Sequence, residues 1–174
     1  MRIYFLDLYA IRRRLAKVRI DSIIFDFDGV FTDNHVYLSQ DGTEAVRCSR
    51  CDGIGVRMLK SVSDKICVLS TESNEVVSRR AQKLDIDVHQ SIIDKASYLE
   101  TVLVPKYALD LEKVLYIGND INDIGCMRLC GFSVCPSDSN PLVFKEVDHV
   151  LSSRGGDGIA LEIALKLFRI QSHI

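Results

Sequence analysis

Ile20-Asp21-Ser22-Ile23-Ile24-Phe25-Asp26-Phe27-Asp28-Gly29 is the stretch whose reading decides the fold. Its β-branched and aromatic residues form an apolar run too short for a helix, and it stops at Asp28-Gly29, a turn signal. A buried strand ending in a turn follows. The carboxylates at its carboxyl end are the feature that needs a reason.

Outward from this strand, Val36-Tyr37-Leu38 and Glu44-Ala45-Val46-Arg47 flank the turn former Ser39-Gln40-Asp41-Gly42, which predicts a β-hairpin. Helix and strand patterns then alternate. Helices are expected over Gly53 to Lys60, Ser73 to Lys83, Ala96 to Tyr107, Asn122 to Cys130 and Ile159 to Phe168. Strands are expected at Ile66 to Leu69, near Val88, at Val114 to Ile117 and at Phe132 to Val134. Alternation of this kind builds βαβ crossovers. The fold class is therefore α/β, a doubly wound, Rossmann-like, mainly parallel sheet with helices on both faces and a small hairpin after the first strand. Residues 1–19 read as an amphipathic lead-in helix, with Tyr4, Phe5, Leu6, Leu8, Tyr9, Ile11 and Leu15 among Asp7 and Arg12 to Arg14, and residues 20–174 as one domain.

At 174 residues the chain has room for one ordinary core, hence one site. Hydrophobic residues at 47% and charged residues at 26% describe a globular protein rather than a disordered or membrane one. A formal net charge of −2 gives no electrostatic ground for a nucleic-acid partner, while leaving room for a small anionic substrate. No apolar run reaches the roughly 18 residues of a membrane span. Cys67, Cys126, Cys130 and Cys135 read as buried free thiols, which suits a reducing, cytoplasmic setting; Cys48 and Cys51 form a C-x-x-C with no second pair to complete a zinc site.

Open parallel sheets bind ligands beyond the carboxyl ends of their strands. Three strands here end in polar groups: Asp26, Asp28, Thr32 and Asp33; then Ser70-Thr71-Glu72; then Gly118-Asn119-Asp120, with Asp123 beyond. One carboxylate at a strand end is ordinarily a helix cap or a solvated loop residue. Several brought together repel one another unless a divalent cation lies between them, and oxygen-only donors favour Mg²⁺ over softer metals.

Asp26-Phe27-Asp28-Gly29-Val30-Phe31-Thr32-Asp33 resembles the D-x-D-G-V-x-T-D first motif of haloacid dehalogenase phosphatases. Ser70 matches the family's second motif, Lys95 its third, and Gly118-Asn119-Asp120-Ile121-Asn122-Asp123 its fourth, in order along nearly the whole chain from Asp21. The resemblance implies a Mg²⁺-dependent phosphomonoesterase. Asp26 would be the nucleophile, Asp28 the general acid and base, and Ser70 and Lys95 the groups that bind the phosphoryl oxygens. Asp26, the Asp28 carbonyl and a fourth-motif residue would hold the metal, with Asp123, Thr32 and Asp33 behind them. The usual ligating Asp is replaced here by Asn119, so either its amide or Asp120 is the third ligand, and weaker Mg²⁺ binding is expected.

No cap domain is inserted after the first or second motif. This is similar to the capless branch acting on eight- and nine-carbon sugar-acid phosphates, in which a homotetramer closes the site. By that analogy the hairpin is the tetramer interface, and Arg154-Gly155-Gly156-Asp157-Gly158, otherwise a glycine turn, helps bind substrate. The octulosonate 8-phosphate phosphatases of this branch have Arg where this chain has Glu72; relatives acting on nonulosonate (N-acylneuraminate) 9-phosphates carry Glu forms. The nine-carbon substrate is the leading expectation, with the eight-carbon one as its alternative. Glu72 is equally a helix-start carboxylate, and Lys83, roughly three turns on, is within reach to pair with it. A rival of another class is a non-catalytic oligomerisation module accompanying a sialic-acid cytidylyltransferase. His35, His89, His149 and His173 lack ligand spacing, Arg12 to Arg14 read as a solvated face, Asp52 as an N-cap, and Arg79 and Arg80 as facing either substrate or solvent.

Overall fold

The structure is a computed structural model that describes residues 7–171. Tyr4, Phe5 and Leu6 of the expected lead-in helix, and His173, lie outside those residues. Among the described residues, the strands β1 (Ser22–Phe25), β4 (Ile66–Leu69), β5 (Asp87–His89), β6 (Val114–Ile117), β7 (Phe132–Cys135) and β8 (His149–Val150) form one sheet. Its order is β5-β4-β1-β6-β7-β8, with every pairing parallel. The small hairpin pairs β2 (Tyr37–Leu38) with β3 (Glu44–Ala45). β1 is central: Phe25 aligns with Val68 on one side and Ile117 on the other.

The all-apolar strands follow from burial on two faces. In β1, Ile23 and Phe25 face one core layer and Ile24 the other; Ile66 and Val68 oppose Cys67 and Leu69 in β4 in the same way. The first layer is closed by α1 (Leu8–Leu15), α2 (Cys51–Leu59), α3 (Val76–Leu84) and the C-terminal helix. That helix begins as α7 (Ile159–Glu162) and widens to a π turn over Ile163–Leu167. The second is closed by α6 (Ile124–Leu129) and one helical body. This body comprises α4 (Lys95–Tyr98), a π segment (Leu99–Leu103) and α5 (Val104–Tyr107). Each fully buried Ile, Leu or Phe in these layers contributes about 1.5–3 kcal/mol.

The expected alternation is present, with three differences. β8 has two residues and no apolar run of its own; it exists because the chain after Asp148 pairs with β7. β1 is shorter than its apolar run, since past Asp26, whose N–H still bonds β6, the chain turns at Phe27. Asp52 does not cap its own helix: α2 starts at Cys51 after Arg50, and the fully buried Asp52 carboxylate instead accepts from Ala160 N, 3.0 Å away, at the start of α7. All six cysteines are free.

Candidate active site

Three of the central strands deliver the site. Beyond Phe25 the main chain of Asp26 still reaches β6, its N–H donating to the Ile117 carbonyl at 2.8 Å, and then winds into a turn in which Val30, Phe31 and Thr32 N–H groups converge on the Phe27 carbonyl. Phe27 and Phe31 bury their rings and anchor this turn. Asp26 and Asp28 thereby leave the sheet on the opposite side, at its carboxyl edge. Gly29, at φ +74°, makes the turn feasible, because a Cβ there would lie 1.8 Å from Asn119 Nδ2. Thr32 Oγ1 donates to Asp28 Oδ1 at 3.1 Å and accepts from the Gly29 and Asn34 N–H groups at 3.2 Å each, so it supports Asp28 from behind.

From the β6 side, Asp123 organises the centre. One of its oxygens accepts from Tyr116 Oη at 2.7 Å and Lys95 Nζ at 2.8 Å; the other accepts from the Asn119 and Asp120 N–H groups at 2.9 and 3.2 Å. Lys95, its side chain wholly buried at the first position of α4, also places Nζ 2.6 Å from Asp26 Oδ1. From β4, Ser70 is buried and its Oγ accepts from Glu72 N–H at 3.1 Å.

These elements enclose a cleft of about 190 Å³. Asp26, Asp28, Ser70, Asn119 and Asp120 line it, so the expected catalytic and metal-holding residues are brought together, with Lys95 beneath Asp26. Thr71, named among the strand-end polar groups but given no role, lines it too, as do Asn34 and Asn122, which were not anticipated. Asn34, at φ +63°, follows the first motif, and the other two follow the strand-end residues, so proximity in sequence was the available signal. Asn140 was also missed. It donates Nδ2 to Asp120 Oδ1 at 2.9 Å and its N–H to the Asn119 carbonyl at 2.9 Å, and it sits in the loop after β7, which the strand-end rule also covers.

Burial pushes the Asp26 carboxyl up to about 8, the Asp123 charge adding to the effect and Lys95 opposing it. Burial also raises Asp28, against its Thr32 hydrogen bond and with help from the Glu72 and Glu44 charges. Burial alone would lower Lys95, but the two carboxylates outweigh it and hold it cationic. One buried cation thus serves two buried carboxylates, and the centre favours a further cation. Among the described residues no three His, Cys, Asp or Glu side chains form a metal site unaided. A cation between Asp26 and Asp28 therefore requires neutral oxygens to complete its shell, and the Asn119 amide and main-chain carbonyls are of the hard donor type that Mg²⁺ accepts. Asp120 is less free, since its Oδ1 already accepts from Ile121 N–H at 2.7 Å and from Asn140.

The remaining expected residues lie elsewhere. Asp33 pairs with Arg47 at 3.2 Å, and Arg47 also reaches Asp157 at 3.0 Å, so Asp33 fastens the hairpin base to the C-terminal glycine loop. Arg154 is exposed and pairs with Asp138 at 3.3 Å. Gly155 and Gly156 pack against the first-motif turn: Gly156 N–H donates to the Val30 carbonyl at 3.0 Å, and a Cβ on Gly155 would meet the Gly29 carbonyl oxygen at 2.3 Å. These glycines shape the turn and do not line the cleft. Glu72 does not pair with Lys83. The helix starts only at Val76, and Glu72 Oε1 folds back onto the Ser73 and Asn74 N–H groups at 2.7 and 2.8 Å. Arg79 pairs with Glu75, and Arg80 donates to the Ser49 carbonyl.

A family model described as haloacid dehalogenase-like hydrolase matches residues 60–163. The 3-deoxy-D-manno-octulosonate 8-phosphate phosphatase KdsC of Haemophilus influenzae is 31% identical over 164 residues, covering 92% of this chain and 88% of its own. Among solved structures, a putative HAD family hydrolase from Streptomyces avermitilis superposes with a TM-score of 0.82 at 37% identity, over 86% of each chain. The 3-deoxy-D-manno-octulosonate 8-phosphate phosphatase of Moraxella catarrhalis, solved in complex with magnesium ion, phosphate ion and KDO molecule, gives 0.84 at 25% identity, over 92% of this chain and 91% of its own.

Proposed function

The chain belongs to the haloacid dehalogenase-like hydrolases and is a phosphoric monoester hydrolase, and from that premise we propose that it hydrolyses a sugar-acid phosphate with Asp26 as nucleophile. The observation that carries this reading is Lys95 Nζ set between Asp26 and Asp123, beneath a cleft on which Asp28, Ser70 and Asn119 converge.

An Asp26 carboxylate oxygen attacks phosphorus, and the bond from phosphorus to the sugar oxygen breaks. Asp28, whose burial shifts its carboxyl towards the protonated form against the Thr32 hydrogen bond, gives its proton to that leaving oxygen. Water then attacks the aspartyl-phosphate, its proton passing to Asp28, and the bond from phosphorus to Asp26 breaks, releasing phosphate and restoring the acid. Lys95 and Ser70 neutralise and hydrogen-bond the charge developing on the phosphoryl oxygens. Asp26, the Asp28 carbonyl and Asn119 would hold a divalent cation, which we take to be Mg²⁺, and when bound it would supply charge neutralisation at the phosphoryl group.

Within the sugar acids, Glu72 supports a nine-carbon nonulosonate 9-phosphate. Its charge, with that of Glu44, acts on Asp28, and Asn74 Nδ2 donates to Glu44 at 2.9 Å, so the surroundings of Asp28 are acidic. Such surroundings suit hydroxyl or amide groups better than a carboxylate placed close to the phosphate. The eight-carbon 3-deoxy-octulosonate 8-phosphate is the second reading, favoured by the names of the relatives above. Turnover of both compounds, with and without Mg²⁺ and beside Asp26→Asn, tests the proposal: loss of all turnover in the variant is expected, and a clear preference for the eight-carbon substrate would overturn the nine-carbon reading. The exposed hairpin residues Val36, Tyr37 and Leu38 support a homotetramer, and the free thiols a cytoplasmic setting. Among the described residues no helix is long and apolar enough to cross a membrane.

A further inference from the structure

The loop from β5 to α4 joins two parts of the site that the reaction uses together. It grips the Ser70 turn along its length: Ser70 N–H donates to the His89 carbonyl at 2.8 Å, Ile92 N–H to the Ser70 carbonyl at 3.1 Å, Ser91 N–H to the Glu72 carbonyl at 3.0 Å, and Gln90 Nε2 to the Ser73 carbonyl at 3.1 Å. It ends at Asp94, whose carboxylate caps α4 on Ser97 N–H at 3.0 Å, immediately before Lys95. The position of Lys95 relative to Ser70 is therefore set by how this loop seats on the helical body 95–107.

His89 lies at that junction, 8% exposed. Its Nδ1 is 3.0 Å from Tyr98 Oη and its Nε2 3.0 Å from Tyr107 Oη, while Tyr107 Oη donates to Asp87. Burial and the nearby Lys106, opposed by Asp87, lower the pKa of His89 and so favour the neutral ring. The protons are then assigned by exclusion. Tyr107 gives its only proton to Asp87 and accepts from Nε2–H, leaving Nδ1 to accept from Tyr98. Tyr98 immediately precedes the π segment Leu99–Leu103 and Tyr107 ends α5 beyond it; within the segment the helix widens, Val104 N–H donating to the Leu99 carbonyl. The imidazole thus spans the widened segment and ties both sides of it to the strand that leads to Ser70.

We propose that His89, held by Tyr98, Tyr107 and Asp87, is a positioning residue that sets Lys95 against Asp26 in register with Ser70. This rests on the phosphatase reading above. A histidine serving only the core would affect stability and leave turnover alone. The test uses 4-nitrophenyl phosphate with saturating Mg²⁺. Tyr98→Phe removes one hydroxyl and keeps the ring; it is expected to lower kcat about tenfold with KM within about twofold, because the displaced group acts on the transition state. His89→Gln, which keeps a donor and an acceptor, is expected to retain more kcat than His89→Leu. Wild-type kcat in Tyr98→Phe, with or without a lower melting temperature, overturns the proposal. Should the wild-type protein hydrolyse no phosphate ester, the phosphatase reading fails separately. Amide hydrogen exchange at residues 95–99 then decides: faster exchange in Tyr98→Phe supports the clamp, and unchanged exchange refutes it.

Discussion

Lys95, Asp26 and Asp123 show how much the site depends on single side chains. Removing one partner from a buried charge cluster strands the others, at about 3–5 kcal/mol. Lys95→Met leaves Asp26 and Asp123 facing each other without their cation. It is expected to lower the melting temperature and to reduce kcat by at least about a hundredfold through lost charge stabilisation. Calorimetry and steady-state kinetics on the purified variant check both. Asn119 gives a second prediction. A carboxylate there adds the negative charge that its amide withholds, so Asn119→Asp is expected to reach half-maximal activity at lower Mg²⁺ than the wild type. An unchanged half-saturation would remove Asn119 from the ligand set.

At the scale of elements, the helix α7 is secured from a distance. Burial pushes Asp52 up to about 6, opposed by its bond from Ala160 and by the Arg80 charge, and favoured by Asp157. Its second oxygen is buried without a hydrogen-bond partner among the described residues. The folded pKa lies above the ordinary carboxylate value, so the stability linked to this group is fully present below about pH 4 and is lost as pH rises through about 6. Asp52→Asn keeps an oxygen for Ala160 and carries no charge. Its melting temperature relative to the wild type is expected to rise between pH 4 and pH 8, and a difference that stays flat across that range would contradict the assignment. This role could not be read from the sequence, where Asp52-Gly53 resembles a local cap; the helix it serves begins more than a hundred residues later. The strands and most helices were legible because both-face burial leaves an apolar run and the helices carry their own period. β8 was not, since pairing with β7 supplies what its two residues lack. Asp26, Asp28, Ser70, Lys95 and Asn119 were legible as strand-end and motif residues. Asn140 and the His89 clamp were not, because side-chain bonds between distant loops leave no periodicity.

For the whole molecule, the open cleft and the exposed hairpin belong together. Val36, Tyr37 and Leu38 are 56%, 59% and 70% exposed, three adjacent apolar side chains on a hairpin held to the body by Arg47, Asp33 and Asp157. A chain with no cap leaves its cleft wet, and a subunit interface at the hairpin would close it. Leu38→Glu is expected to shift the assembly towards monomer in sedimentation and to reduce sugar-acid phosphate turnover more than 4-nitrophenyl phosphate turnover. A wild type that sediments as a monomer would remove the hairpin from this role. The glycine loop at Gly155-Gly156 contributes from the other side, by packing on the turn that presents Asp26 and Asp28.

The covalent step is tested most directly by quenching the enzyme in acid during turnover with Mg²⁺ and mapping the phosphorylated peptide by mass spectrometry. A phosphoryl group on Asp26, absent from Asp26→Asn, is the predicted result. A phosphoryl group on another residue, or full turnover by Asp26→Asn, would contradict the mechanism.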